Sequence, residues 1–216
     1  MNDRPLLLAT RSADKLREIR QILADHPSLR VIGLDEAGVE ETPEEEGIEC
    51  FETFEENSLA KARYYAARSG LPTLADDSGL CVDALDGAPG VYSKRFAGRP
   101  DLKGGGLDRA NNALLLEKLS GVPEAERTAR YVCVVALALG DGEEHTFRGT
   151  CEGVILLTER GVGGFGYDPL FYIPEEDATF GELPPERKNA LSHRGRAIRA
   201  AGNWMARGLD ESGYGL

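Results

Sequence analysis

The segment ARYVCVVALAL, residues 129–139, constrains the fold more than any other part of this 216-residue chain. Its side chains are apolar almost without interruption and rich in valine, which is typical of a β-strand covered on both faces. Such a strand needs structure packed against each side. Because strand-like and helix-like segments interleave along the chain, and some strands follow one another like hairpins, the sequence predicts an α/β fold with a mixed central sheet and flanking helices.

Two further elements are predicted at the start of the chain. The segment RPLLLAT predicts a strand over residues 5–9. After it, Leu16, Ile19 and Leu23 recur at the spacing of one helix face. Ser12 precedes this pattern and is a good N-cap residue, so we expect a helix to begin there.

Similar patterns predict the rest of the architecture. The other expected strands are SLRVIGL, a short LPTLA with two carboxylates at its end, one or two strands in EHTFRGTCEGVIL, and DPLFYI. The other expected helices cover about Glu55–Arg68, about Leu107–Leu119 and the segment SHRGRAIRAAGNWMAR. The chain has no repeat and no Pro/Ser-rich linker, so residues 1–216 are predicted to form a single domain whose tail, residues 209–216, is frayed.

The charge distribution excludes some partners. The net charge is −12, and the stretch from Asp35 to Glu56 holds 11 acidic residues and no Lys or Arg. Binding to a nucleic-acid backbone needs clustered cations, so we expect no nucleic-acid partner. No apolar run approaches the roughly 20 residues of a membrane span. The N-terminal apolar run is too short for a signal peptide, so a cytoplasmic protein without a membrane partner is expected.

The adjacent carboxylates of Asp76 and Asp77, in the segment LPTLADDSGL, are a candidate reactive site. They follow an apolar run, where two neighbouring like charges are costly unless a cation or hydrogen-bond donors satisfy them. The pair therefore either lies on the surface or takes part in chemistry.

Two lysines lie in patterns that suit phosphate groups. In LLATRSADK, Lys15 lies one turn into a helix whose N-terminus favours an anion. In FEENSLAKAR, Asn57 and Lys61 are four residues apart and share a helix face. Taken alone, the first pattern is more typical of a solvated helix lysine than of a phosphate ligand, and the second is equally typical of an ordinary surface Glu–Lys pattern.

Two segments carry groups that suit a flat heterocycle. The segment GVGGFG satisfies G-x-G-x-x-G, but Asp168, Pro169 and a predicted strand follow it where a dinucleotide site needs a helix. We interpret it as a glycine loop presenting Phe165, Tyr167 and Asp168, since aromatic rings stack on bases and a carboxylate accepts from ring N–H groups. The segment KNALSHRGRA gathers further donors, among them Lys188 and His193.

Together the motifs resemble a known family. In chain order they are a strand followed by T-x-S-x-x-K, then EEN-x-x-x-K, ADDSGL, GAPGVYS-x-R, GGFGYDP and SHR. This set resembles the Ham1-type purine nucleoside triphosphate pyrophosphatases, or XTP/dITP diphosphatases, from about Leu6 to Ala197. The resemblance implies two lobes around a substrate cleft, a homodimer and a Mg²⁺-dependent reaction. The implied substrates are noncanonical purine nucleotides (dITP, ITP and XTP), cleaved to the monophosphate and pyrophosphate.

The resemblance also implies roles for single residues. Asp77 matches the catalytic, metal-binding acid, and counting back without gaps makes Glu49 the second metal ligand, with Glu45, Glu46 and Glu52 as rivals. Lys15 and Lys61 match phosphate-contacting lysines. The implied substrate-binding residues are Thr10, Ser12, Lys15, Asn57, Lys61, Ser78, Phe165, Gly166, Tyr167, Asp168, Lys188, His193 and Arg194.

The implied selectivity depends on position 6 of the purine. Hypoxanthine and xanthine carry a keto acceptor there, whereas adenine carries an amino donor. Donors from His193 or Arg194 would pair with the keto group and leave adenine mismatched, which can change the rate by a factor of about 10⁴ or more.

One departure from the family pattern leaves an alternative open. The family usually opens with T-G-N-x-x-K, whereas here Arg11 and Ser12 replace the glycine and the asparagine. Ser12 can still donate to a phosphate oxygen and Arg11 can add charge. The alternative function is a nucleotide-binding protein without turnover. A phosphomonoesterase of the haloacid-dehalogenase kind needs D-x-D after the first strand, whereas here the acids are adjacent and in mid-chain.

Overall fold

A computed structural model describes residues 5–140 and 142–212, and for residues 208–212 it describes the backbone alone. In chain order the elements of this part are β1 (Leu6–Leu8), α1 (Ala13–Leu23), β2 (Val31–Gly33), α2 (Phe54–Ser69), β3 (Thr73–Val82), α3 (Gly105–Lys118), β4 (Thr128–Ala138), β5 (Glu144–Ile155), β6 (Phe171–Ile173), β7 (Ala178–Thr179), α4 (Pro185–Leu191) and α5 (His193–Ser212). Short 3-10 turns connect several of them.

The strands form one mixed sheet in the order β2-β1-β3-β4-β5-β6-β7. Strand β1 pairs in parallel with β2 and with β3, whereas β6 pairs antiparallel with β5 and with β7. The α/β class with a mixed central sheet and flanking helices is therefore confirmed.

Local sequence explains where the helices begin and end. Ser12 Oγ accepts a hydrogen bond from the Lys15 N–H at 3.3 Å, as expected of the N-cap of α1. Thr53 caps α2 in the same way through the Glu56 N–H at 3.2 Å. Helix α2 ends at Gly70, whose φ of 67° is left-handed and favours glycine.

The chain divides into two compact units. The first unit comprises Met1–Asp77, Cys133–Gly149 and Arg194–Leu216, and the second comprises Ser78–Val132 and Thr150–His193. Strands β3, β4 and β5 contribute residues to both units.

The core of the first unit lies on both faces of the sheet. Leu6 and Leu8 pack in one apolar cluster with residues of α1 and α5, whereas Leu7 packs in another with residues of α2. Strand β4 alternates likewise, with Leu137 in the first cluster and Ala136 in the second. Successive strand residues point to opposite faces, so a strand covered twice must be apolar throughout. This confirms the interpretation for residues 133–138. Ala129 and Tyr131 pack in the core of the second unit, whereas Arg130 is partly exposed and pairs with Asp83 and Glu152.

The second unit has one apolar core, centred on aromatic rings. Tyr131 contacts Phe171 edge-on at 4.7 Å between ring centroids, and Phe180 lies 5.2 Å from Phe171. Leu115 and Leu119, from α3 and just after it, pack against this group. The core holds β4, β6 and α3 together in the unit that also carries the glycine loop.

The structure corrects three expectations. The strand LPTLA was expected to end at the carboxylates, but β3 continues to Val82, so Asp76 and Asp77 lie in mid-strand. Helix α4 was not predicted. The segment EHTFRGTCEGVIL, predicted to form one or two strands, forms one, in agreement with the prediction. The predicted frayed tail is helical to Ser212, and residues 213–216 lie outside the described residues.

Within the described part of the chain, no helix is both long enough and apolar enough to span a membrane.

Candidate functional site

Asp76 lies at the centre of a buried charge cluster in the first unit. Its side chain is 1% exposed, and its Oδ2 lies 3.0 Å from Lys15 Nζ and 3.3 Å from Arg194 Nε. Burial alone would raise the pKa of Asp76, but the charges of Lys15, Arg194 and Lys61 outweigh it and hold the pKa well below its usual range. Asp76 is therefore a permanently ionised group held by cations from two helices.

Asp77, the next residue, has the opposite electrostatic environment. Its Oδ2 accepts a hydrogen bond from Asn57 Nδ2 at 3.0 Å. Burial raises the pKa of Asp77, and the opposing effects of Lys15, Lys61 and this hydrogen bond do not cancel it. Two adjacent carboxylates with pKa values shifted apart are typical of a site in which one exchanges a proton and the other does not.

Helix α2 contributes two of the predicted residues to this cluster. Asn57 is 1% exposed and also binds both main-chain groups of Phe51. One amide thus joins α2 and Asp77 to the acidic loop, which is the part of the acid-rich stretch that precedes α2 (residues 35–53). Lys61 Nζ donates to the Glu49 carboxylate and to the Asp76 carbonyl. Burial alone would lower the pKa of Lys61, but the surrounding carboxylates raise it, and the lysine is charged.

The acidic loop places one glutamate beside this cluster. Glu49 is half-buried, and its pKa is lowered because Lys61 and Lys15 outweigh the effect of burial. Its rivals lie elsewhere: Glu45 forms a two-pronged ion pair with Arg11, at 2.8 and 3.1 Å, whereas Glu46 and Glu52 are exposed. Of the four candidates, Glu49 is the one whose carboxylate contacts Lys61, and its role as a metal ligand stays a prediction.

The loop between β1 and α1 is stabilised by its own hydrogen bonds. Thr10 Oγ1 accepts from the Ser12 N–H at 3.1 Å, and Ser12 Oγ caps α1. The Arg11 guanidinium is bound to Glu45 and to the Val39 carbonyl, the latter at 3.0 Å. The residue that replaces the family's glycine thus anchors the acidic loop.

A second cluster surrounds Asp168 in the second unit. Asp168 is 3% exposed, and its Oδ2 accepts from the Phe165 N–H at 2.8 Å and from Lys188 Nζ at 2.6 Å. Tyr131 Oη donates to Oδ1 at 3.5 Å. The expected contact of Asp168 with a base stays a prediction; in the structure this carboxylate holds the glycine loop and Lys188.

Aromatic rings lie against Lys188 and His193 in this cluster. Lys188 Nζ lies 4.7 Å from the centroid of the Phe165 ring, and Phe165 itself is partly exposed. His193 is buried and stacked on Tyr131, with 4.5 Å between centroids and 6° between planes. The arrangement offers an accessible aromatic ring beside fixed donors, which suits a planar heterocycle.

Tyr167 and Ser93 fix the base of the same loop. Tyr167 is buried, its Oη donates to the Ser93 carbonyl at 2.8 Å, and burial raises its pKa. Ser93 Oγ in turn accepts from the Leu80 N–H at 2.8 Å. The segment GAPGVYS therefore supports the loop, and Ser78, which is partly exposed, begins this unit in β3.

The structure brings the predicted site residues into two groups. Those in the first unit are Thr10, Ser12, Lys15, Glu49, Asn57, Lys61, Asp77 and Arg194; those in the second are Ser78, Phe165, Gly166, Tyr167, Asp168, Lys188 and His193. Arg194, expected near the base, is 2% exposed and pairs with Asp76 and, at 2.6 Å, with Glu18. The individual contacts of these residues with a nucleotide stay predictions.

Sequence reasoning missed Glu18, the buried partner of Arg194. A signal was present, because Glu18 directly precedes Ile19 of the apolar stripe and is one turn after Lys15. Burial of an acid requires a cation or hydrogen-bond donors to satisfy its charge, and Arg194 is the partner found here.

This chain is similar to known proteins in both sequence and structure. The sequence profile of the Ham1 family matches residues 6–204. The dITP/XTP pyrophosphatase of Geobacter sulfurreducens is 52% identical over 193 residues, which cover 89% of this chain and 92% of that protein. The corresponding protein of Pseudomonas aeruginosa is 50% identical over 195 residues, covering 89% and 92%. The solved HAM1 protein of Coxiella burnetii matches with a TM-score of 0.81 at 37% identity, covering 94% of this chain and 99% of that one.

Proposed function

Because this chain belongs to the Ham1 family, we propose that it hydrolyses noncanonical purine nucleoside triphosphates (dITP, ITP and XTP) to the monophosphate and pyrophosphate. The relatives named dITP/XTP pyrophosphatases support the substrate class. The observation that carries the proposal is the buried carboxylate pair of Asp76 and Asp77. Lys15 Nζ lies 3.0 Å from Asp76 Oδ2, Lys61 donates to the Asp76 carbonyl, and Asn57 donates to Asp77.

Asp77 is the catalytic group in this proposal. Its carboxylate is the acceptor that would orient a water and take its proton as the water attacks the α-phosphorus. Asn57 fixes one oxygen of Asp77, so the carboxylate has a defined orientation. Asp76 keeps its charge and holds Lys15 in place.

Mg²⁺ is the proposed cofactor, and the donor set suits it. Among the described side chains, residues 5–140 and 142–207, no group of three or more His, Cys, Asp or Glu residues has the placement of a complete metal site. Mg²⁺ is usually held by one or two carboxylates together with substrate phosphates, so Asp77 and Glu49 are sufficient protein ligands. When bound, the ion would neutralise charge on the phosphate oxygens.

The lysines supply the remaining positive charge. A triphosphate carries about four negative charges, and Lys15 and Lys61 bring two cations to the carboxylate cluster. Thr10 and Ser12 lie at the N-terminus of α1, where main-chain N–H groups favour anions.

We assign recognition of the purine to the second unit. The partly exposed ring of Phe165 stacks on the base, and Lys188 and His193 supply donors for its keto group. Our proposal also includes a homodimer, on the strength of the family resemblance, and a cytoplasmic location, on the strength of the short N-terminal apolar run. The net charge of −12 supports the absence of a nucleic-acid partner.

The test is pyrophosphate release with Mg²⁺ from dITP, XTP, dGTP and dATP. We expect kcat/KM for dITP and XTP to exceed that for dATP by about 10³-fold or more. Release of orthophosphate would contradict the proposal. Tight binding of dITP without any turnover would favour the alternative function, a nucleotide-binding protein without catalysis. The altered Thr10–Lys15 loop is the feature that suggests this alternative.

Glu49→Gln should raise the Mg²⁺ concentration needed for half-maximal activity, by about tenfold if one carboxylate ligand is lost. Glu46→Gln is the matched control, because Glu46 is exposed in the same loop, and it should leave the Mg²⁺ requirement unchanged. The Mg²⁺ titration is read as pyrophosphate release at saturating dITP. An equal shift in both variants would remove Glu49 from the metal site.

A further inference from the structure

Helix α3 binds both main-chain groups of Gly166 in the glycine loop. Asp108 Oδ2 accepts a hydrogen bond from the Gly166 N–H at 3.0 Å. Asn112 Nδ2 donates to the Gly166 carbonyl at 3.3 Å. Asp108 and Asn112 are four residues apart and therefore lie on one face of α3. All three residues belong to the second unit.

These two hydrogen bonds fix two successive peptide planes. The Gly166 N–H belongs to the peptide shared with Phe165, and the Gly166 carbonyl belongs to the peptide shared with Tyr167. Gly166 has a φ of 64°, in the left-handed region that other residues rarely adopt. Holding both planes at this permissive residue sets the direction of the Phe165 ring on one side and of Tyr167 on the other.

The chemistry of Asn112 suits a double contact. Its amide has two N–H donors, and Nδ2 also donates to Glu159 Oε1 at 2.8 Å. Asn112 is 4% exposed, so its amide is directed into the protein. One side chain thus ties both the segment before the loop and Gly166 to α3.

We propose that Asp108 and Asn112 are positioning residues for purine recognition, which set the orientation of the Phe165 ring without touching the nucleotide. The inference rests on the proposed function, because it takes Phe165 as the stacking surface. A stacking ring gives affinity and selectivity only when it is held at a defined angle, and a glycine loop does not hold that angle by itself.

The test compares Asp108→Ala and Asp108→Asn with Arg109→Ala, an exposed neighbour on the same helix. We expect Asp108→Ala to raise KM for dITP by about tenfold, to leave kcat within about twofold, and to reduce the preference for dITP over dGTP. Asp108→Asn keeps an oxygen acceptor and should restore most of the affinity. Arg109→Ala should behave as the wild type.

Hydrogen exchange separates positioning from general stability. In Asp108→Ala the amides of residues 163–167 should exchange faster, while exchange in β4 and the denaturation midpoint stay close to those of the wild type. Unchanged KM and unchanged base preference in a folded Asp108→Ala variant would overturn the inference. So would a fall in kcat alone.

Failure of the proposed function would give a different result, because the wild-type protein would then release no pyrophosphate from any of the nucleotides. The dissociation constant of dITP with Mg²⁺, measured by calorimetry, then replaces KM in the same comparison. An equal dissociation constant for wild type and Asp108→Ala would overturn the positioning role, and a tenfold weaker one would support it.

Discussion

Asp77→Asn should lower the rate of pyrophosphate release from dITP by about 10²–10⁴-fold, the usual contribution of a positioned acid or base. The amide has nearly the shape of the carboxylate, and its oxygen can still accept from Asn57, so the fold should be retained. It neither accepts a proton from water nor carries the negative charge that a hard cation prefers. We expect kcat to fall much more than KM rises.

Two further variants make this result specific. Asp101→Asn replaces an exposed acid that pairs with Arg99 in the second unit, and it should retain full activity. Asp76→Asn should reduce stability in addition to activity, because it leaves the Lys15 and Arg194 cations without their shared carboxylate. Measured by steady-state pyrophosphate release and by urea denaturation, the three variants separate catalysis from folding. Retention of most of the rate in Asp77→Asn would contradict the assignment of Asp77.

The architecture could be predicted because its signals are local. The apolar run of β4 requires cover on both faces, and Ser12 marks the start of α1 through contacts within a few residues. The carboxylate pair was recognised as unusual for the same reason, since adjacent acids after an apolar run are costly. Its position in mid-strand was missed, because the cations that make a buried Asp76 possible come from distant parts of the chain. Arg194 is 118 residues away from it.

The site residues show the same division between local and distant information. The motifs identified Asp168 and Lys188 as site residues. They did not indicate that the Asp168 carboxylate accepts hydrogen bonds from Lys188 and from the Phe165 N–H. Helix α3 gave no motif at all, although it holds Gly166 through two side chains. Hydrogen bonds between distant segments carry no periodicity, so a single sequence does not indicate them.

Arg194→Met should lower the free energy of unfolding by about 3–5 kcal/mol, the usual result of removing one partner from a buried ion pair. The Arg194 guanidinium is 2% exposed and is shared by Glu18 at 2.6 Å and Asp76 at 3.3 Å. Methionine fills much of the same volume, so the loss would come from the carboxylate of Glu18, which would remain buried without this cation. Urea denaturation of the wild type and of Arg194→Met measures this difference in free energy of unfolding.

A double-variant cycle shows whether the loss belongs to the ion pair. The double variant, Glu18→Gln with Arg194→Met, removes both charges. Its loss in free energy of unfolding should therefore be clearly smaller than the sum of the losses in the two single variants. Arg17→Met is the surface control, because its partner Asp14 is exposed on the same helix. Its free energy of unfolding should stay within about 0.5 kcal/mol of the wild type.

Two outcomes for Arg194→Met distinguish its possible roles. If the variant keeps its stability but loses the preference for dITP over dATP, Arg194 contacts the purine directly, as the family resemblance implies. If the stability falls and the double variant recovers it, Arg194 supports the catalytic cluster by binding the buried acids of α1 and β3. Discrimination at position 6 of the purine must then come chiefly from the donors of the second unit.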